Sequence, residues 1–399
     1  MGPEAHGYDP PPRMDSSPSP FSSLGLFEAL LKTLAERGST EPTPIQEQAI
    51  PAVLFGKDVL GIAKTGSGKT ASYVLPILQR MQREQWTMAN RHVPVLVLVP
   101  TRELALQVEA AFNELSAGLP ERVRTVAVFG GVSINPQMIG MQGVQVLIAT
   151  PGRLLDLINS KAVHLADVKV LVLDEADRML DLGFKDEMDR LLALMPRKRQ
   201  NLLFSATLSS AVNEITQLVL HKPEVFQVTE EPQEVTLIRQ RAFRVSEERK
   251  GPYLRYLIKS HDMHQVLVFT SSIHSADHVA DKLVKNGIDA RATHGKKSHH
   301  ARQQALADFK AGKLRVLVTT DLLARGIDIA FLPYVINYEL PRSPKDHVHR
   351  IGRTGRAQNP GEAFTIVTPE DQAFFKVIQK KMGQWVMLEG TDEVDLKGY

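Results

Sequence analysis

Three short segments carry residue types at spacings that suit phosphate chemistry. The first is Ala63-Lys64-Thr65-Gly66-Ser67-Gly68-Lys69-Thr70. Backbone N–H groups of a glycine-rich loop at a helix start can wrap phosphate oxygens, and glycine lets the backbone come close. Lys69 would then reach the terminal phosphates, and the Thr70 hydroxyl would take Mg2+. Ala63 stands where the general pattern opens with glycine, and alone the segment also reads as a turn capping a helix. The second is Asp174-Glu175-Ala176-Asp177, which follows an apolar run from Val168 to Leu173. Carboxylates at a strand end lie where open α/β sheets bind ligands; one could hold Mg2+ while a neighbour orients or activates water. Alone, such a cluster is equally ordinary solvated surface. The third is His349-Arg350-Ile351-Gly352-Arg353-Thr354-Gly355-Arg356, with Arg353 and Arg356 three apart and so on one face of a helix. A guanidinium there could neutralise charge on a transferred phosphate or form plain surface ion pairs. No phosphate loop stands in that half of the chain, so these arginines are expected to serve the first half's nucleotide.

The elements that would position these residues are legible in outline. With 399 residues the chain is long enough for two domains. Residues 1–20 are rich in Pro, Gly, Asp and Ser and read as a flexible tail. Short Val/Ile/Leu runs follow, beginning near Val59, Val95, Val126, Val144, Val168 and Leu202. They are nearly all apolar rather than alternating, as for strands buried on both faces of a parallel sheet. A stretch from His221 to Glu234 lacks periodicity and reads as a linker. A second set then begins near Arg241, Val266, Ala290, Val316, Tyr334 and Phe364. The expected organisation is an α/β protein with domains at 21–228 and 239–382, a linker at 229–238 and a C-terminal tail at 383–399. No repeat is visible between the halves.

With these motifs in this order, the chain resembles the DEAD-box RNA helicases, superfamily 2 ATPases. The resemblance spans about Phe21 to Lys380, and the short flanks look most like RhlE-type bacterial members. It implies two RecA-like domains, each a mostly parallel sheet flanked by helices. Ser39 to Gln46 matches the Q motif, with Ser39 where an aromatic is usual; Gln46 should read the adenine edge and Phe21 should stack on the base. Thr65, Gly66, Ser67, Gly68, Lys69 and Thr70 would bind ATP, and Thr70 and Asp174 would hold Mg2+. Glu175 would act as base or water-orienting group, Arg353 and Arg356 as arginine fingers, and Asp328 on the ribose. Ser205 should hydrogen-bond Asp177, and Thr207 and His349 belong to the same coupling set. The RNA backbone would be held by Thr101 and Arg102, by Gly131, by Thr150, Pro151, Gly152 and Arg153, and in the second domain by Thr270, Ser271, Gly295, Arg302 and Thr320. His299 stands where the family commonly has Gln.

The resemblance implies an RNA-dependent ATPase that closes two domains on ATP and single-stranded RNA and separates short duplexes locally. An ATP-gated RNA clamp or RNP-remodelling factor is the alternative, and a DNA-acting helicase a further one. A pseudoenzyme is disfavoured because Lys69, Thr70, Asp174, Glu175, Arg353 and Arg356 are all present. Cysteine is absent, which excludes disulfides, thiol catalysis and cysteine-ligated metals. His294, His299 and His300 fit no standard zinc spacing. Neither a membrane-length apolar run nor a signal segment is seen, so a cytoplasmic monomer is expected, with any targeting left to partner proteins. The net charge of +3 is too small to mark a nucleic-acid binder by itself. Trp86 and Trp385 lie outside every motif.

Overall fold

The valine and leucine runs assemble into two sheets of seven parallel strands in a computed structural model that describes residues 21–64, 66–86, 90–228, 238–321, 332–355 and 361–399. The chain divides into two units, Met1–Thr229 and Glu230–Tyr399. In the first, β1 (Val59–Ile62), β2 (Val95–Leu98), β3 (Thr125–Val128), β4 (Val146–Ala149), β5 (Val170–Leu173), β6 (Gln200–Ser205) and β7 (Glu224–Gln227) pair in the order β3-β4-β2-β5-β6-β1-β7. Alternate residues feed two cores. Val95, Val97, Val170, Val172 and Phe204 face one side, and Leu96, Leu98, Leu171, Leu173 and Leu203 the other. Both faces are buried, which is why these strands read as unbroken apolar runs.

The second unit contains β8 (Ile238–Arg244), β9 (Val266–Thr270), β10 (Ala290–Thr293), β11 (Val316–Thr320), β12 (Tyr334–Asn337), β13 (Gly361–Val367) and β14 (Leu388–Gly390), ordered β10-β11-β9-β12-β13-β8-β14. Helices begin directly after most strands, and several start at a hydroxyl residue. Thr101 accepts from the Leu104 N–H, and Ser272 accepts from the Ser275 N–H. No helix among the described residues is long and apolar enough to cross a membrane.

Two expectations are corrected. The stretch from His221 contains β7, whose side chains are mostly exposed but whose backbone pairs with β1. Residues 383–399 are not a tail. Leu388–Gly390 adds a strand beside β8, Arg241 grips Glu389 through two hydrogen bonds of 3.0 and 2.7 Å, and Arg249 and Arg255 hold the carbonyls of Val394 and Tyr399. Thr391 is buried and donates to the Arg244 carbonyl. Ile238, expected in the linker, already belongs to β8, and residues 229–237 and those before Phe21 lie outside the described residues.

Candidate functional site

The loop after β1 is shaped by its glycines and tied down by the helix Pro44–Leu54. Gly66 and Gly68 take φ of +84° and +89°, the left-handed region that a side chain resists. A Cβ on Gly68 would also stand 2.5 Å from Gln46 Nε2 and 2.7 Å from Thr43 Oγ1. That crowding reflects direct ties: Thr43 donates to the Ser67 carbonyl at 2.8 Å, and Gln46 Nε2 donates to the Gly68 carbonyl at 3.2 Å. Gln46 Oε1 accepts from the Thr43 N–H at 2.9 Å. Gln46 therefore anchors the loop; one amide hydrogen and one carbonyl lone pair remain for a base. Phe21, expected to stack on the base, is packed into the first unit's core with 5% of its surface exposed. Lys69 opens the helix Lys69–Glu84, and its buried ammonium donates to the Ala63 carbonyl at 2.6 Å. Thr65 lies outside the described residues.

The acidic cluster sits at the end of β5 and is buried. Asp174 Oδ2 accepts from the Tyr73 hydroxyl at 2.8 Å, and Oδ1 accepts from the Glu175 N–H at 2.9 Å. Burial pushes the Asp174 carboxyl up, and the Lys69 charge offsets part of that rise. Glu175 is raised for the same reason, with Arg178 at 3.3 Å the main opposing charge. Its backbone is left-handed, φ 53° and ψ 51°, a conformation that costs a non-glycine residue about 1–3 kcal/mol. A strained, desolvated carboxyl beside a lysine is the setting in which acid–base groups are tuned toward neutral pH. Asp177 is bonded by Thr207, whose hydroxyl reaches Oδ2 at 3.0 Å. This corrects the expectation for Ser205, whose hydroxyl donates to the Thr207 carbonyl at 2.8 Å and accepts from the Thr207 N–H. Ser205 thus shapes the turn that lets Thr207 reach the aspartate.

Thr70 and Asp174 offer hydroxyl and carboxylate oxygen, the hard donors that Mg2+ prefers. Among the described residues no group of three or more His, Cys, Asp or Glu is placed to hold a metal. Mg2+ commonly uses one or two protein ligands and completes its shell with phosphate and water, so the residues fit that ion.

The loops after β2, β3 and β4 form a second surface of the first unit. Thr101 caps the helix Arg102–Leu115, and the Arg102 guanidinium lies 4.4 Å over the Phe129 ring, just before Gly130 and Gly131. Gly131 has φ +79° and open space where a side chain would stand. Thr150, Pro151 and Gly152 start the helix Pro151–Asn159. Arg153 is buried and donates to the Val132 carbonyl at 2.8 Å. It ties two of these loops together rather than presenting its charge at the surface.

In the second unit, Arg350 is the hub. It is fully buried, donates to both carboxylate oxygens of Asp321, to the Glu339 carbonyl at 2.6 Å and to Asn337 at 3.3 Å, and lies 5.0 Å over the Phe269 ring. Asp321 directly follows Thr320, and Glu339 in turn holds the expected contact Ser271 by its N–H at 2.5 Å and its hydroxyl at 2.6 Å. Ser275 donates to the other Glu339 oxygen at 2.7 Å. Thr270 is buried, its hydroxyl turned to the Ser272 and Thr319 carbonyls. Gly295 is open on its side-chain side, and Arg302 is half-buried on the helix His299–Lys310. His347 is buried, and desolvation with the nearby Arg350 charge lowers it to about 4, so it is neutral. His349 is half-buried and Arg353 buried, on and just beyond the helix Pro344–Ile351. Asp328 and Arg356 lie outside the described residues.

Sequence reading missed Tyr73, Arg178 and Glu339, and it gave no role to Asp321 or Arg350. Spacing was the available signal for two of them: Tyr73 is one turn beyond Thr70, and Arg178 one turn beyond Glu175. Trp86, also without a role, is buried beneath Arg80 and Lys169, whose charges lie 5.4 and 5.2 Å from its ring.

Residues 43–215 match the DEAD/DEAH box helicase family, and residues 249–358 match the helicase conserved C-terminal domain. The chain is 38% identical to the ATP-dependent RNA helicase CshA of Listeria monocytogenes over 90% of its length and 68% of the relative's. It is also 38% identical to the DEAD-box ATP-dependent RNA helicase RhpA of Helicobacter pylori, over 92% of this chain and 73% of that one. Among solved structures, Saccharomyces cerevisiae Dbp5 bound to RNA and ADP BeF3 is similar with a TM-score of 0.81 at 30% identity, covering 95% of this chain and 97% of that one. A DEAD box protein from Methanococcus jannaschii matches with a TM-score of 0.52 at 32% identity, over 92% of this chain and 98% of that one.

Proposed function

Because the chain belongs to the DEAD-box ATP-dependent RNA helicases, we propose that its two units divide one reaction between them. ATP is held in the first unit by the loop Gly66–Thr70, with Lys69 on the terminal phosphates and Gln46 on the adenine edge. The buried tie of Tyr73, on the helix that this loop opens, to the Asp174 carboxylate at the end of β5 supports this reading most directly. Mg2+ held by Thr70 and Asp174 would neutralise charge on the phosphates. Glu175 takes or orients the proton of the attacking water, and its raised carboxyl suits that work. Arg353 and Arg356 stabilise the charge that develops on the transferred phosphoryl group.

RNA is held through its backbone by the strand-end loops of both units, because threonine hydroxyls, glycine N–H groups and helix starts contact phosphate without reading bases. The yeast relative, solved with RNA and ADP BeF3 together, supports joint binding of both ligands. ATP and RNA then each favour the closed state and tighten one another's binding. Closure on one strand would bend it and release its partner. The chain acts as a monomer, with RNA choice left to partner proteins. The test is ATP hydrolysis with RNA and with DNA of the same sequence. RNA should stimulate turnover strongly and DNA weakly; equal stimulation would overturn the RNA reading.

A further inference from the structure

The hydroxyl of Tyr73 has no task in the reaction as described above. Tyr73 lies on the helix Lys69–Glu84, one turn beyond Thr70, with no exposed surface. Its ring packs on Phe204 with centroids 5.3 Å apart, work that a phenylalanine would do as well. A phenol hydroxyl buried this deeply costs free energy unless it is hydrogen-bonded. Here it donates to Asp174 Oδ2 at 2.8 Å. That bond joins the helix that follows the phosphate loop to the end of β5.

We propose that Tyr73 is a positioning residue for Mg2+, its hydroxyl fixing the orientation of the Asp174 carboxylate. The proposal rests on the reading of Asp174 as a protein ligand of the metal. The argument is geometric. Asp174 is fixed from two sides, by Tyr73 on Oδ2 and by the Glu175 N–H on Oδ1 at 2.9 Å. Both donors leave each carboxylate oxygen a further lone pair. Partners of this kind orient metal ligands, and their loss typically costs 10–100-fold in metal affinity.

The test uses the full chain and a fluorescent ADP derivative, with binding measured across a range of Mg2+ concentrations and in EDTA. Tyr73→Phe removes one oxygen and keeps the ring. It should need about 10-fold more Mg2+ to reach half of the metal-dependent tightening, with binding in EDTA unchanged. Phe204→Leu loosens the packing of the ring and keeps the hydroxyl. It should lower the Tm and leave the Mg2+ midpoint in place. An unmoved midpoint in Tyr73→Phe, or an equal shift in Phe204→Leu, would overturn the role of the hydroxyl. A wild-type protein whose ADP binding ignores Mg2+ would instead overturn the ligand assignment beneath it.

Discussion

The two units share one strand order and use it for different chemistry. Counting β8 as the first strand of its own unit, β10-β11-β9-β12-β13-β8-β14 becomes 3-4-2-5-6-1-7, the order of the first unit. Equivalent strand ends can then be compared. β1 runs into the glycine loop, whereas β8 runs into the helix Glu247–Ser260 through Val245 and Ser246, with no glycine to admit a phosphate. β2 and β9 both end at a hydroxyl-capped helix. β5 and β12 each have a glutamate two residues past their end, Glu175 and Glu339. Burial raises Glu175, and Arg178 offsets only part of the rise. Burial also opposes the charge on Glu339, but the hydroxyls of Ser271 and Ser275 outweigh it and hold that carboxyl below its usual range. The same place in the same fold thus yields a carboxyl whose charge is disfavoured by burial in one unit and a loop fastener in the other. The number of donors around it makes the difference.

The largest expected effect tests whether the second unit lends chemistry to the first. Arg353→Ala should lower RNA-stimulated ATP turnover by about 10³-fold or more, while ADP binding measured by fluorescence stays near wild type. Turnover within a few-fold of wild type would confine Arg353 to a structural part. Next comes the paired glutamate test. Glu175→Gln should cost about 10²-fold in turnover with ATP and RNA binding retained. Glu339→Gln should leave turnover at saturating RNA little changed but destabilise the second unit by about 1–3 kcal/mol in denaturant unfolding, since hydrogen bonds to a charge are lost. Similar turnover in the two variants would erase the contrast. A smaller loss, about 1 kcal/mol, is expected for Glu389→Ala, which breaks the two-point grip of Arg241 on β14 at a partly exposed site.

The smallest effect is in pH, and its sign differs between the units. Glu175 has a folded pKa above its unfolded value, so its charge costs stability at neutral pH and the cost fades as pH falls into the raised range. Glu175→Gln should therefore raise the Tm at pH 7 and lose that advantage as pH falls through the raised pKa of the wild-type glutamate. Glu339 has a folded pKa below its unfolded value of about 4.5, so its contribution is present above that pH and is lost as pH falls through the folded pKa. Glu339→Gln should lower the Tm at pH 7, with the deficit closing only in stronger acid. Parallel Tm–pH curves for the two variants would contradict the assignment.

The legible part of the molecule was the part buried on both faces. Runs such as Val95–Leu98 and Val170–Leu173 announce central parallel strands because every residue is apolar. The two strands that escaped, β7 and β14, are edge strands of the two sheets, with exposed or half-buried side chains; their pairing is backbone work that leaves little trace in residue type. The shared strand order escaped for a related reason: the halves repeat a topology and not a sequence. In the site, the loop and the acidic cluster were legible because they follow apolar strands at fixed spacing. Arg350, Asp321 and Glu339 were not, since a buried charge network depends on partners brought from β11, β12 and the helix Pro344–Ile351. Whether Ser205 or Thr207 meets Asp177 is decided by the turn after β6, a matter of angles that composition does not carry.

The grip of Arg241 on Glu389 spans 148 residues, and that distance becomes time during synthesis. At about 5–20 residues per second, β8 would wait roughly 7–30 s for its outer neighbour. The corresponding pair in the first unit, β1 with β7, is complete before β8 is made at all. A nascent chain should therefore carry a finished first unit while β8 still offers a bare edge to passing strands and chaperones. Ribosome-bound chains halted at increasing lengths and challenged with protease should show the first unit protected once β7 has cleared the exit tunnel, and the second only after β14 has.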